Sequence, residues 1–371
     1  MDDVILFALP VFAVLMAVEF AWGLARGRNT YGLADTLASL SQGLLSQVVA
    51  ACTQLIQIGL YTLAWPWLTL TPHAALWTHW QAIALAVLLY DFCDYWLHRV
   101  SHESALFWAA HVVHHQSRHF NLSTALRQES AYALSGWMFF LPLAVVGVPP
   151  AQFAIAGIVV LFYQFWIHTE HVGSLGVLDR WLSTPSNHRV HQATNDRYLD
   201  RNYGAILVVW DRLFGTFEPE SASEPCVYGT KVPLVGWDPL QAVGGNYVDL
   251  WRRFVLAEGW HDKIGVLFGS PSRHPATQAP ARIVATLAER PVGQAQAGVA
   301  VALFMLSTGC TAALLWRADD IGRATLSGAV AALIAGLWSI GAVLDGRLTP
   351  RAGGIVGAAS ATAALMLLGT A

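Results

Sequence analysis

The sequence predicts an all-α, polytopic membrane helix bundle with a cytoplasmic, histidine-rich di-metal lobe. Three observations carry that expectation. Hydrophobic residues make up 55% of the 371-residue chain and charged residues 12%, about half of the roughly 25% usual in soluble proteins. Mean hydropathy is +0.46, and apolar runs of spanning length recur along the chain. Fourteen histidines accompany only four cysteines, and most of them fall in two short windows. The net charge of −3 gives no basic field, so nucleic acid is not an expected partner. Cys52, Cys93, Cys226 and Cys310 lie far apart with no CxxC pair, which excludes a disulfide scaffold and a thiolate zinc site.

The elements follow in order. Met1-Asp2-Asp3 has no basic n-region, and no A-x-A site precedes Arg26, so residues 4–25 read as a retained first span. The run at 33–67 exceeds one span and reads as one tilted helix, or a helix plus an interfacial piece. Residues 77–97 form a third span ending at Asp91, Asp94 and the first histidines. The run at 132–166 is broken at Gly147-Val148-Pro149-Pro150 and reads as a hairpin of two helices. Residues 298–316, 326–344 and 354–368 are three further apolar runs, the last rich in small residues that allow close packing. The expected organisation is N-terminal transmembrane helices over 1–76, a catalytic domain over 77–228, a cytoplasmic connector over 229–292, and C-terminal transmembrane helices over 293–371. A loop rich in proline and serine lies at 270–280 within that connector. With the N-terminus outside, only Arg317 and Arg323 of the 21 basic residues land outside, leaving 19 inside. That asymmetry places the clustered histidines on the cytoplasmic face.

Nine histidines are spaced as helix faces would require. His98 and His102 are i,i+4. His111, His114 and His115 share a face at i,i+3,i+4. His168 with His171, and His188 with His191, are i,i+3 pairs. Imidazole is the commonest protein ligand for iron, copper and zinc, so four such faces can enclose two metal ions. His73, His79, His119, His261 and His274 stand alone and read as solvated or hydrogen-bonded side chains. A metal transporter would carry its histidines mid-span, and a membrane cytochrome would need them facing each other inside two spans. Here they cluster at and beyond span ends.

His98-x3-His102, His111-x2-His114-His115 and His188-x2-His191 resemble the fatty acid hydroxylase and sterol desaturase superfamily. The flanking stretches Asp94-Tyr95-Trp96-Leu97-His98, Phe120-Asn121-Leu122-Ser123-Thr124-Ala125-Leu126-Arg127-Gln128, Trp166-Ile167-His168-Thr169-Glu170 and Trp210-Asp211-Arg212-Leu213-Phe214-Gly215 look like its alkylglycerol monooxygenase branch. The resemblance implies two non-haem irons activating dioxygen on a lipid substrate within the bilayer. An electron donor is required, and the branch implies tetrahydrobiopterin. The chemistry expected is lipid hydroxylation at the carbon beside an ether oxygen; sterol, hopanoid, carotenoid or fatty-acyl hydroxylation or desaturation is the alternative. One departure stands out: the third box usually reads HxxHH, but Gln192 follows His191 here. Its amide oxygen, a water, or His171 is the expected replacement, and an impaired relative that keeps the fold is the remaining alternative. Asp94, one turn before His98, is the foremost carboxylate expected to orient a ligand, with Asp91 a turn earlier and Glu170 and Asp211 as further candidates. Arg127 and Arg189 are expected to bind a lipid phosphate or a pterin.

Overall fold

The computed structural model describes residues 2–53, 57–70, 77, 79–271 and 291–369. Among them no strand forms, and isolated bridges such as Leu182 with Leu207 are the nearest thing to one. The architecture is all-α. Helix α1 (Asp2–Ala25) is followed by α2 (Leu33–Thr53) and α3 (Gln57–Leu68). The long 33–67 run is therefore two helices meeting at 43°, with the junction at 54–56 outside the described residues. Helix α4 (Trp80–Glu103) runs unbroken from the third apolar run through His98 and His102.

Next come α5 (Ala105–His115) and the four-residue α6 (Leu122–Ala125). The hairpin expected at 132–166 has one straight arm only, α9 (Pro150–Trp166). Its other arm is α7 (Tyr132–Gly136), a 3-10 turn at Trp137–Phe140, and α8 (Leu141–Val146). Pro142 sits in the first turn of α8, where its missing N–H is harmless but where it stops a helix continuing from before. Short helices α10 (Pro185–Gln192) and α11 (Val209–Phe214) complete the lobe. Helices α12 (Pro239–Leu256) and α13 (Trp260–Phe268) follow it. The chain closes with α14 (Gln294–Arg317), α15 (Arg323–Leu344) and α16 (Pro350–Gly369). The loop at 270–280 and His73 and His274 fall largely or wholly outside the described residues.

Among the described residues, four helices are long and apolar enough to cross a membrane, or five if the bent α2–α3 pair counts as one. Two apolar cores hold them. Val48 of α2 packs with Cys310, Leu314, Leu333 and Ala364 of the C-terminal helices. Small residues let these helices approach closely: a Cβ on Gly357 would lie 2.3 Å from Leu303 Cδ2. The second core gathers Tyr61, Leu97, Phe107, Phe140, Leu143 and Phe153 from α3, α4, α5, α8 and α9.

The connections sort onto two ends. At one end Leu70 N donates to Val145 O at 3.1 Å and Tyr61 OH to Val148 O at 2.7 Å. At the other, the loop after α1, the start of α2 and the end of α15 all hold the histidine-bearing lobe. Asn121 Nδ2 donates to Thr30 O at 2.7 Å, Ser117 Oγ to Asp35 at 2.5 Å, and Trp237 N to Asp345 at 2.7 Å. Glu19, the one charge in α1's apolar stretch, is buried there. Its carboxylate accepts from Tyr31 OH at 2.5 Å, from Leu122 N at 2.8 Å, and from the Thr169 hydroxyl.

Candidate metal centre

Eight buried histidines converge beyond the end of α4. His98, His102, His111, His115 and His191 form one group and His114, His168 and His188 another; within each, the nearest ring nitrogens lie within 4.8 Å of one another. Helix spacing explains most of this. On α5, His111 and His115 are one turn apart and serve the first group, while His114 points to the second. On α10, His188 and His191 likewise divide between the two.

The tautomers follow from the partners. A carbonyl oxygen only accepts, so a ring nitrogen facing one must carry the proton. His98 Nδ1 faces Tyr203 O at 2.8 Å, His191 Nδ1 Arg201 O at 3.0 Å, His114 Nδ1 Arg127 O at 3.1 Å, and His168 Nδ1 Gln164 O at 2.7 Å. Each of these four rings then aims a bare lone pair from Nε2. His114 Nε2 and His168 Nε2 nevertheless lie 3.2 Å apart with no proton to share. Burial pushes His114 down to about 4 and His168 well below its ordinary value, so neither ring becomes an imidazolium to relieve the contact. His102 Nε2 and His191 Nε2 are buried with no hydrogen-bond partner among the described residues, a loss of about 1–3 kcal/mol each if nothing filled the space. A cation resolves all of these at once. Two nitrogens each about 2.1 Å from a metal and at right angles to one another lie about 3.0 Å apart. The observed Nε2 separations of 2.9 Å for His188–His168 and 3.1 Å for His98–His111 and His115–His111 fit that spacing. The donor set is all imidazole, which suits iron, zinc or copper and not magnesium or calcium.

The support around the rings comes from two loops. Residues 200–203 supply three partners to the five-histidine group: the Arg201 and Tyr203 carbonyls, and Asp200 Oδ1 at 3.5 Å from His102 Nδ1. Asp200 and Asn202 adopt φ of 57° and 55°, the left-handed region that short polar side chains tolerate best. Asp211 holds this loop by accepting from Tyr203 N at 2.7 Å and Gly204 N at 2.8 Å. Gly204 allows no larger residue, since a Cβ would sit 2.3 Å from Leu207 O. Asp91 continues the clamp, accepting from Ile206 N at 2.7 Å and Trp210 Nε1 at 2.8 Å. The second loop follows α6. It contributes the Arg127 carbonyl and Glu129, whose carboxylate lies 2.6 Å from His111 Nδ1. Burial raises Glu129 to about 7 and lowers His111 to about 3.

The sequence-derived candidates divide accordingly. His171 joins neither group; its Nε2 lies 3.5 Å from Thr30 Oγ1 near α1. Gln192 is buried one turn after His188 on α10, and its Nε2 has no partner among the described residues. Asp94 stands near Glu129, but the carboxylates that meet ring nitrogens are Glu129 and Asp200. Glu170 pairs with Arg28 at 3.0 Å on the rim. Both candidate arginines are taken up by protein. Arg127 donates to Val113 O and Gln116 Oε1, and Arg189 to Glu220, Thr169 O and Val172 O. Glu129 is the residue that spacing missed; its one signal was a lone carboxylate following directly on the Phe120–Gln128 stretch.

A cavity of about 460 Å³ opens beside the lobe, lined by Gln116, Arg118, Glu170, Cys226 and Tyr228. Tyr228 stacks on Phe120 at 5.0 Å, and Phe120 lies 5.6 Å from the His168 ring.

Residues 83–216 match the model of the fatty acid hydroxylase family. The chain is 38% identical to the alkylglycerol monooxygenase of Homo sapiens and 39% to that of Danio rerio, over 272 residues in each case. Those alignments cover 72% of this chain and 59% of either relative, so the chain spans about three fifths of their length. An ornithine lipid hydroxylase of Rhizobium tropici is 29% identical over 214 residues, 56% of this chain and 63% of that protein. No solved structure matches the chain. With its eight buried histidines inside the matched segment, the chain carries a fatty acid hydroxylase domain over residues 83–216 and counts alkylglycerol monooxygenases among its homologues.

Proposed function

We propose that the chain is a membrane-bound, O2-dependent lipid monooxygenase holding two non-haem irons. Its reaction is hydroxylation of an alkylglycerol at the carbon bonded to the ether oxygen. The observation that carries this reading is the convergence of buried imidazole lone pairs in two adjacent groups. His98, His102, His111, His115 and His191 would hold one iron. His114, His168 and His188 would hold the other, with the Gln192 amide oxygen as a weaker fourth donor. Iron bound there supplies the dioxygen binding and electron transfer that imidazoles alone lack. The chain's own residues keep the rings in the metal-ready tautomer, set ligand basicity through Glu129, and exclude water by burial.

The balance is one O2, two electrons and two protons per lipid, giving the hydroxylated ether and one water. The product is a hemiacetal, which collapses to a fatty aldehyde and glycerol. A reduced tetrahydrobiopterin, or another two-electron donor, would enter by the cavity over Tyr228, whose volume suits a small bicyclic heterocycle. The basic-residue asymmetry supports a cytoplasmic position for this face. A label directed to a cysteine at Ser223 should then react only after cell lysis.

The test is aldehyde release from a fluorescent-tailed alkylglycerol by iron-loaded protein given reduced pterin and oxygen. The similarity to an ornithine lipid hydroxylase favours one second reading, acyl-chain hydroxylation. A stable hydroxylated acyl lipid without aldehyde would select it. Absence of turnover on any lipid, with iron bound, would reject both.

A further inference from the structure

Helices α12 and α13 carry two apolar stripes where a soluble helix carries one. The inner stripe is accounted for: Leu250 and Val266 bury against Ala105 and Ala109 of α5. The outer stripe is not. On α12, Val248, Trp251 and Val255 follow at i, i+3, i+7; on α13, Trp260, Ile264 and Phe268 follow at i, i+4, i+8. All six are exposed, Trp251 by 64% and Trp260 by 75%. Polar residues flank the stripe without interrupting it. Arg252, His261 and Asp262 are exposed beside it, and Lys263 bends its ammonium back to Phe254 O at 2.8 Å.

The start of this helix pair is tied to the end of the spanning α15 and its finish to the end of α4. At its start, Asp238 pairs with Arg347 just past α15, and Pro239 O accepts from Gln42 of α2 at 3.0 Å. At its finish, Gly269 O accepts from Ala105 N at 2.9 Å and Leu267 O from Ser104 at 3.2 Å, at the junction of α4 and α5. A pair strung along that rim lies where hydrocarbon gives way to headgroups. Tryptophan at that depth, with basic side chains reaching outward, is the composition such a position selects.

We propose that α12 and α13 lie in the plane of the membrane surface, with the outer stripe immersed at the boundary between acyl chains and headgroups. The occupant of this surface is therefore lipid. The same pair covers the outer face of α5, the helix that carries His111, His114 and His115. Lipid against the stripe is thus separated from the histidine groups by little more than one layer of helix.

The test is independent of turnover. Full-length protein with Cys52 and Cys226 changed to serine would carry Trp251→Cys, Ile264→Cys or Asp262→Cys, each spin-labelled and reconstituted in phosphatidylcholine–phosphatidylglycerol vesicles. Collision rates with oxygen and with a water-soluble nickel chelate are then compared. The oxygen-to-nickel ratio at 251 and 264 should exceed that at 262 several-fold. Equal ratios would put the stripe in water and overturn the proposal. Suppression of both collisions would overturn it too, by putting protein over the stripe, whether from this chain or a second copy. Brominated-lipid quenching gives a second readout: Trp251→Phe with Trp260→Phe should remove part of the quenchable fluorescence, and no change would count against immersion.

Discussion

Five imidazoles meet in one group and three in the other, and the two are braced by different means. The five-histidine group rests on a dedicated loop at 200–203 and on the carboxylates of Glu129 and Asp200. The three-histidine group rests on the Arg127 and Gln164 carbonyls, and His188 Nδ1 is buried without a partner among the described residues. A six-coordinate metal in the first group would have one position left; in the second it would have two or three. Ligand count and ligand support therefore fall together. On the proposed reading, the richer group would retain its metal and the poorer one would keep positions open for exchange.

The largest effect should come from the poorer group. His188→Ala leaves two imidazoles there, so bound iron should drop from about two per chain to about one and aldehyde formation should be abolished. His102→Ala leaves four imidazoles in the richer group, and iron should stay near two per chain while activity falls. Elemental analysis of both purified variants decides it; equal iron loss would erase the distinction between the groups.

Glu129→Gln comes next. Removing a carboxylate behind a ligating histidine should cost about 10–100-fold in metal affinity or activity, with the loss confined to the five-histidine group. A chelator competition resolving two release steps would read this as a change in the slower step. A change in the faster step alone would assign Glu129 to the wrong group.

Gln192→His should act in the opposite direction. An imidazole one turn from His188 gives the poorer group a fourth strong ligand, so its release step should slow toward that of the richer group. Unchanged release would mean that position 192 does not face the metal.

The smallest effect concerns pH. In metal-free protein His111 sits near about 3 and His114 near about 4, both below the ordinary 6.5. Such groups bind fewer protons folded than unfolded, so their contribution is whole above about pH 6.5 and is lost as pH falls toward 4 and 3. Glu129, raised from 4.5 to about 7, works the other way: its contribution is whole below 4.5 and lost as pH rises through 7. Asp200, Asp211 and Asp345 are raised by burial as well, and the eight lowered histidines outweigh these carboxyls. The metal-free protein should melt at least about 5 °C lower at pH 5 than at pH 7.5. The iron-loaded protein should resist this acidification, releasing the three-histidine metal first.

Much of the centre is legible in the sequence because helix periodicity does the positioning. His98 with His102, and His111 with His115, meet as their spacing requires. The same rule misleads at His171. Helix α9 ends at Trp166, so His168 and His171 are not on a helix and their spacing fixes no shared face. Glu129 escapes because its link to His111 runs through the turn after α6 and no local spacing encodes it. The Arg201 and Tyr203 carbonyls leave no trace either, since every residue carries a carbonyl and only the folded loop decides which two are aimed. Among the helices, apolar runs located α1, the α2–α3 pair and α14 to α16. Helix α4 and the two arms at 132–166 are not both long and apolar enough to count with them, and the broken arm before α9 turned on one proline and an aromatic 3-10 turn.

Glu19 has a consequence for how the protein is made. The ribosome delivers α1 before the lobe, yet one partner of its Glu19 carboxylate is Thr169, 150 residues later. At about 5–20 residues per second, that group waits roughly ten to thirty seconds for its last hydrogen bond. A helix made before the lobe is thus completed by a residue from the middle of it. A truncation that stops short of Thr169, or one that removes α1 to simplify expression, cuts the same closure from opposite ends.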